Sequence, residues 1–276
     1  MSHFFEGRAR YPKFKSRKAR QSIRYPQRFK VDGSKVYLPK VGWVKAIYHR
    51  PLEGEMKSCT VSKTKSGKYV ISIQCEIEID EPVFEGGHIG VDLGIKDFAT
   101  LSTGEKIDNP KWLRDAEKKL SKAQRQMSRK GKGSKNWEKA RLKVARLHEK
   151  VTNQRRDFHH KLSRRLVEEN RIITLENLNV KGMVRNHKLA KSIADAGWSG
   201  FVSMIEYKGQ WYGSQSEKIN RFFPSSKTCH QCGAINQNLV LSDRTWVCTK
   251  CGLVHDRDIN AALNIKDQST VGATET

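Results

Sequence analysis

Four cysteines in two pairs, Cys229-His230-Gln231-Cys232 and Cys248-Thr249-Lys250-Cys251, constrain this chain more than any other feature. The spacing is C-x2-C-x15-C-x2-C, and a glycine follows each pair, Gly233 and Gly252, where a tight turn needs one. Thiolates at this spacing point at one centre, and two such turns supply the four sulfur ligands of a closed, tetrahedral Zn²⁺ site. A closed site has no open position for a substrate, so the zinc is read as structural. It stands in for a core that so short a segment cannot supply. His230 and His255 are surplus to four thiolates. Cys59 and Cys75 sit alone in strand-like runs and are read as reduced, buried thiols rather than as a disulfide.

Charge narrows the partner class. Among 276 residues there are 53 Lys and Arg against 29 Asp and Glu, a formal net charge of +24. Such an excess repels itself in a compact state and calls for a polyanion. Residues 111–169 alone carry 20 Lys and Arg and 7 Asp and Glu. Residues 1–30 hold ten Lys and Arg and one acid, Glu6, interleaved with Phe4, Phe5, Tyr11, Phe14, Tyr25 and Phe29. A basic, aromatic-spotted arm suits phosphate contact and base stacking. No apolar run approaches the ~18 residues of a membrane span, and the start lacks the apolar stretch of a secretory signal.

The hydrophobic pattern divides the chain. From Phe29 to Ile79, short runs punctuated by Gly and Pro predict strands: Val36–Leu38, Trp43–Tyr48, Cys59–Ser62 and Tyr69–Ile73. A linker is expected over 81–87. His88–Gly94 then reads as a buried strand with an acid inside it, followed by a second strand at Phe98–Ser102. From Lys111 the apolar residues step by three and four, break at Gly131-Lys132-Gly133-Ser134 and resume to Leu166, which predicts a helical hairpin. Arg171–Glu176 is a strand ending in an acid. A helix is expected over Ser192–Tyr212, a short strand near Ile219–Phe223 and a last helix over Asp258–Lys266.

Three carboxylates stand out. Asp92 lies within an apolar strand, where a charge is costly unless paired or bound to metal. Glu176 ends another apolar strand, and Asp258 starts the last helix. Singly, each has an ordinary reading, and Asp258 alone would be an N-cap. Together, a strand–turn–strand meander, a later strand and a final helix match an RNase H-like layout, in which such acids converge at one sheet edge.

The segments Gly90-Val91-Asp92-Leu93-Gly94, Leu175-Glu176-Asn177-Leu178, Phe222-Phe223-Pro224-Ser225-Ser226-Lys227-Thr228-Cys229 and Asp256-Arg257-Asp258-Ile259-Asn260-Ala261-Ala262-Leu263-Asn264-Ile265 carry a more specific likeness. They resemble the TnpB family, the OrfB-type proteins of insertion-sequence transposons and relatives of type V CRISPR nucleases. The resemblance runs from residue 10 to 267. It implies an RNase H-like (RuvC) core of α+β or α/β class, with a mixed sheet, a helical hairpin insertion over 111–169 and an inserted four-cysteine zinc ribbon. The expected divisions are a basic arm and partial wedge β-domain at 1–82, a nuclease core at 88–223, the ribbon at 224–254, the final motif helix at 255–267 and a tail at 268–276. Family members carry further N-terminal residues, including a helical recognition bundle, so this chain is expected to start inside the wedge region.

The resemblance also implies roles. Asp92, Glu176 and Asp258 match the family's metal-binding triad, expected to hold two Mg²⁺ for phosphodiester hydrolysis, with Asp258 rather than Asp256 as the matching acid of its triplet. Cys229, Cys232, Cys248 and Cys251 would hold the zinc. The expected partners are DNA and a guide RNA derived from the transposon end, with no membrane, in the prokaryotic cytoplasm at the nucleoid. The expected function is an RNA-guided DNA endonuclease. Two alternatives are a truncated or non-cleaving, guide-RNA-dependent DNA-binding protein, and a transposase or resolvase using the same acids. The intact triad favours cleavage, and a ribbon between the second and third acids favours the TnpB family.

Overall fold

The computed structural model describes residues 5–7, 21–78, 84, 86–240 and 242–269. Most of the basic arm read over residues 1–30 therefore lies outside the described residues. The chain divides into two compact units. One comprises residues up to 78 with 123–146, and the other 79–122 with 147 onward.

The first unit is built on two small antiparallel sheets. β1 (Gln21–Tyr25), β5 (Glu55–Lys63) and β6 (Tyr69–Glu76) pair in the order β1-β5-β6. β2 (Lys30–Asp32), β3 (Lys35–Leu38) and β4 (Gly42–Lys45) form a meander. Val36, Leu38, Ala46 and Cys59 are buried together, with Tyr25, Phe29, Val31, Tyr48, Val61, Ile71 and Ile73 packed around them. Two expectations change here. The run from Trp43 stops being strand at Lys45, and residues 21–25 of the arm form a strand whose Tyr25 stands opposite buried Cys59. The short alternation in Gln21–Tyr25 was masked by the surrounding charge. Cys59 and Cys75 are free thiols.

The second unit centres on a five-stranded mixed sheet. β7 (Gly86–Leu93), β8 (Asp97–Leu101) and β9 (Lys106–Asp108) form an antiparallel meander. α1 (Trp112–Ser128) and α2 (Lys135–Glu169) follow as the expected pair of helices around 129–134. The distal part of that pair, 123–146, groups with the first unit, where the Arg141 guanidinium donates to the Lys65 carbonyl at 3.3 Å. β10 (Asn170–Leu175) runs parallel to β7. Then come α3 (Val180–Met183), α4 (Ala190–Ala196), α5 (Trp198–Tyr212) and β11 (Gln215–Lys218), which pairs parallel with β10. The sheet order is β11-β10-β7-β8-β9. β12 (Thr245–Val247) and β13 (Val254–Asp256) form a two-stranded ribbon, and α6 (Arg257–Asp267) closes the described fold.

The core of this unit joins Val91, Phe98, Leu166, Ile173, Leu175, Trp198, Phe201 and Ile205, all nearly inaccessible. Here too the pattern is corrected at two places. The helix expected over Ser192–Tyr212 is two helices, broken at Gly197 with φ +66°. A Cβ there would lie 3.2 Å from His159 Cε1 and 3.3 Å from Arg155 Cδ, so the left-handed turn and the tight packing both ask for glycine. The strand expected near Ile219–Phe223 lies earlier, at β11, because the parallel ladder with β10 ends at Lys218. Among the described residues, no helix is long and apolar enough to cross a membrane.

Candidate functional site

The sheet register brings two acids to one edge. β7 and β10 are parallel neighbours with Val91 opposite Leu175, so Asp92 and Glu176 emerge side by side at the C-terminal ends of their strands. α6 then lies against β7 in a close approach. A Cβ on Gly90 would fall 2.1 Å from the Ala262 carbonyl oxygen and 2.6 Å from the Lys266 nitrogen. Glycine at position 90 is what allows that approach. The first turn of α6 consequently carries Asp258 to the same place. All three acids line one cleft of about 850 Å³, with Lys111, Arg114 and Ser226 also on its wall.

The three carboxylates are not equivalent. Asp92 and Glu176 share a hydrogen bond. Burial pushes Asp92 well above the ordinary carboxylate range, and the negative charges of Glu176 and Asp258 push it further, against the opposing pull of Arg257. Burial raises Glu176 as well, while hydrogen bonds from Ser225 and Asp92 oppose the rise. Asp258 instead carries cations. Arg257 donates to its Oδ1 through Nη2 at 3.0 Å and Nε at 3.1 Å, and Arg244, just before β12, reaches Oδ2 at 3.4 Å.

Asp256, the other acid of the triplet, has a different task. Its Oδ1 accepts from the backbone N–H of Asp258 at 3.1 Å and of Ile259 at 3.0 Å, which makes it the N-cap of α6. Its Oδ2 pairs with Lys106 of β9 at 2.6 Å. Burial disfavours its charge, yet Lys106 and the helix N–H groups hold its carboxyl below the usual range. The cap position falls at 256 rather than 258.

The cysteines assemble a second centre. The sulfurs of Cys229, Cys232, Cys248 and Cys251 all lie within 4.8 Å of one another, a group that could hold a metal ion. Two of the separations are 3.7 Å (Cys229 to Cys251) and 3.6 Å (Cys232 to Cys248). A tetrahedron with metal–sulfur bonds of about 2.3 Å has edges of about 3.8 Å, so the thiols fit such an ion. Burial pushes Cys229 up to about 12, while the Cys251 and Lys250 N–H groups bring Cys248 down to about 6. A cation is what would hold both as thiolates. His255 is not a member of the four, but its Nε2 stands 3.0 Å from the Cys229 sulfur, and its ring packs against Trp246 at 4.7 Å.

Several residues of this region had no individual role in the sequence reading. Ser225, Asn260 and Asn264 stand there only as parts of motifs. One signal was available: asparagines at i and i+4 on the apolar face of a helix are costly unless they are bonded.

The OrfB_IS605 family, described as "Probable transposase", matches residues 72–187, and the "Cas12f1-like, TNB domain" matches 198–265. A candidate RNA-guided DNA endonuclease of Streptomyces pristinaespiralis is 46% identical over 96% of this chain and 67% of its own length. InsQ of Escherichia coli K12, named likewise, is 35% identical over 95% of this chain and 69% of its own. Among solved structures, the chain is similar in fold to one from a Cas12f1–sgRNA–target DNA complex, with a TM-score of 0.54 and 18% identity, covering 76% of this chain and 45% of that one. The chain thus spans about two thirds of the length of these curated relatives and less than half of the solved chain. By its sequence along nearly its full length, this chain belongs to the TnpB family of OrfB-type transposon proteins.

Proposed function

We propose that this chain is an RNA-guided DNA endonuclease whose hydrolytic centre is formed by Asp92, Glu176 and Asp258. The observation that carries the reading is the convergence of these acids in one cleft, on whose wall Lys111, Arg114, Arg244 and Arg257 also stand. Two Mg²⁺ bound there would supply an activated water and stabilise the leaving 3′ oxygen of a DNA phosphodiester. Bound cations would favour the charged form of Asp92, which burial and the neighbouring acids disfavour. Glu176 is kept oriented by the Ser225 hydroxyl, which donates to it at 3.1 Å. Arg244 and Arg257 hold Asp258 and stand where a phosphate would meet positive charge. Lys111 and Arg114 draw the polyanion toward the cleft.

In this reading Cys229, Cys232, Cys248 and Cys251 hold a structural Zn²⁺ that folds the ribbon. Residues 1–82 form a basic arm and partial wedge domain, 88–223 the RuvC-like core, 224–254 the inserted ribbon, 255–267 the last motif helix and 268–276 a tail. Guide RNA from the transposon end reads the target by base pairing, while the protein reads backbone shape. A chain with this charge works at the nucleoid, in the cytoplasm.

The test is Mg²⁺-dependent plasmid cleavage with the co-expressed transposon-end RNA. Asp92→Ala is expected to lose cleavage by about 1,000-fold or more while nucleic-acid affinity stays within about twofold. Retained cleavage in Asp92→Ala, or equal loss of binding, contradicts the assignment. Guided binding without cleavage by the unaltered chain would favour the non-cleaving alternative.

A further inference from the structure

One turn, residues 224–228, touches both centres. Thr228 immediately precedes the first thiol, Cys229. Its carbonyl accepts from Asn260 Nδ2 at 2.7 Å and from Asn264 Nδ2 at 2.6 Å. The Ser225 carbonyl accepts from the same two amides, at 2.7 Å from Asn264 and 3.4 Å from Asn260. The Asn260 side-chain oxygen is used as well, accepting from the His230 backbone N–H at 3.0 Å inside the first cysteine pair. Both asparagines belong to α6, the helix that carries Asp258. At the other end of the turn, the Ser225 hydroxyl donates to Glu176 Oε1 at 3.1 Å.

These groups are buried. Ser225 is 5% exposed, Asn260 2% and Asn264 6%. Attaching a ribbon to a helix needs only apolar packing, and buried amides are costly unless every bond is made. Here the bonds are made, and they are directional: α6 fixes the serine backbone, and the serine fixes Glu176. The arrangement ties Glu176, the residue after β10, to α6, the helix that carries Asp258, through the segment that leads into the thiol cluster. Paired carboxylates that share cations must be held to within about 0.5 Å, and local packing alone does not deliver that.

We propose that Ser225 is a positioning residue through which the thiol centre and the carboxylate centre are coupled. The Asn260–Asn264 clamp sets the turn, the loaded thiol cluster holds its far end, and the Ser225 hydroxyl transmits the setting to Glu176. The inference rests on the reading of Asp92, Glu176 and Asp258 as a divalent-cation site.

The experiment titrates the full chain with Mn²⁺, read by electron paramagnetic resonance, with bound zinc and melting temperature measured on the same samples. Ser225→Ala is expected to keep its zinc and its melting temperature and to raise the Mn²⁺ half-saturation concentration about tenfold. Ser225→Thr, which keeps a hydroxyl, is expected to stay within about twofold of the unaltered chain. Stripping the thiol-bound ion from the unaltered chain is expected to weaken Mn²⁺ binding as well. Unaltered Mn²⁺ binding in Ser225→Ala, or after stripping, overturns the coupling. Loss of zinc and of melting temperature in Ser225→Ala overturns the positioning role, because the serine would then be merely structural. Glu176→Gln separates the two claims: if it leaves Mn²⁺ binding unchanged, the carboxylate reading itself fails, whatever Ser225 does.

Discussion

The thiol centre and the carboxylate cleft are built by opposite strategies. Each half of the thiol centre is a turn of four residues, and two turns meet across a small ribbon. Its geometry is local, so the ion it fits is the principal source of order. The carboxylate cleft takes one acid from the end of β7, one from the residue after β10 and one from the first turn of α6. Its order comes from a sheet register, a helix packed over Gly90 and a buried core. The thiol centre should therefore come apart when its ion is withdrawn, and the cleft should not. A metal that folds a segment and metals that act on a folded surface are distinguished by which structure exists first.

Withdrawing the thiol-bound ion should give the largest structural effect. A strong chelator, or Cys248→Ala, is expected to lower zinc retention by more than about 100-fold. It should also change the fluorescence of Trp246, whose ring packs on the histidine beside Cys229. The circular dichroism of the mixed sheet should stay near its starting value. Collapse of the whole second unit together with the ribbon would erase the contrast.

A smaller effect is expected at Asp256, which stands between the two regions. Asp256→Ala removes the N-cap of α6 and the 2.6 Å pairing with Lys106. The expected cost is about 1–2 kcal/mol, read as a drop of about 4 °C in melting temperature. Divalent-cation affinity should fall by less than it does in Asp258→Asn. Equal losses would make Asp256 a ligand rather than a cap.

The smallest effect lies outside both centres and serves as their control. His159 is buried beside Phe98 and Phe201, with Nε2 donating to the Ala196 carbonyl at 2.9 Å. Burial lowers its pKa to about 4, against that hydrogen bond. In the unfolded chain the group titrates near 6.5. Between these values the unfolded chain holds a proton that the folded chain does not, so stability falls as pH drops from about 6.5 to about 4. His159→Gln is expected to remove about one proton from that slope. Denaturant titrations across the window measure it, and the slope should not depend on zinc or on divalent cation. A slope unchanged in His159→Gln would mean that other groups carry it.

How much was legible follows the same division. The four cysteines announce themselves by spacing, because their geometry lies within a few residues of each. Asp92 is marked by its apolar strand, and the strands of the mixed sheet and the two helices around 129–134 by their periodicities. The break at Gly197 was missed because the apolar stepping continues across it, and only contact with His159 and Arg155 shows why a glycine stands there. β9 was missed because three residues hold no periodicity, and its strand character comes from pairing with β8. The Arg244–Asp258 contact and the Ser225–Glu176 bond had no local signature, since each joins residues that meet only after the sheet and α6 are in place.

The central claim is that Asp92, Glu176 and Asp258 form one divalent-cation cradle, and Mn²⁺ anomalous scattering from crystals of the protein tests it most directly. The account predicts anomalous peaks within coordination distance of carboxylate oxygens of all three. No peak at the cleft, or a peak that leaves any of the three acids uncoordinated, would contradict it.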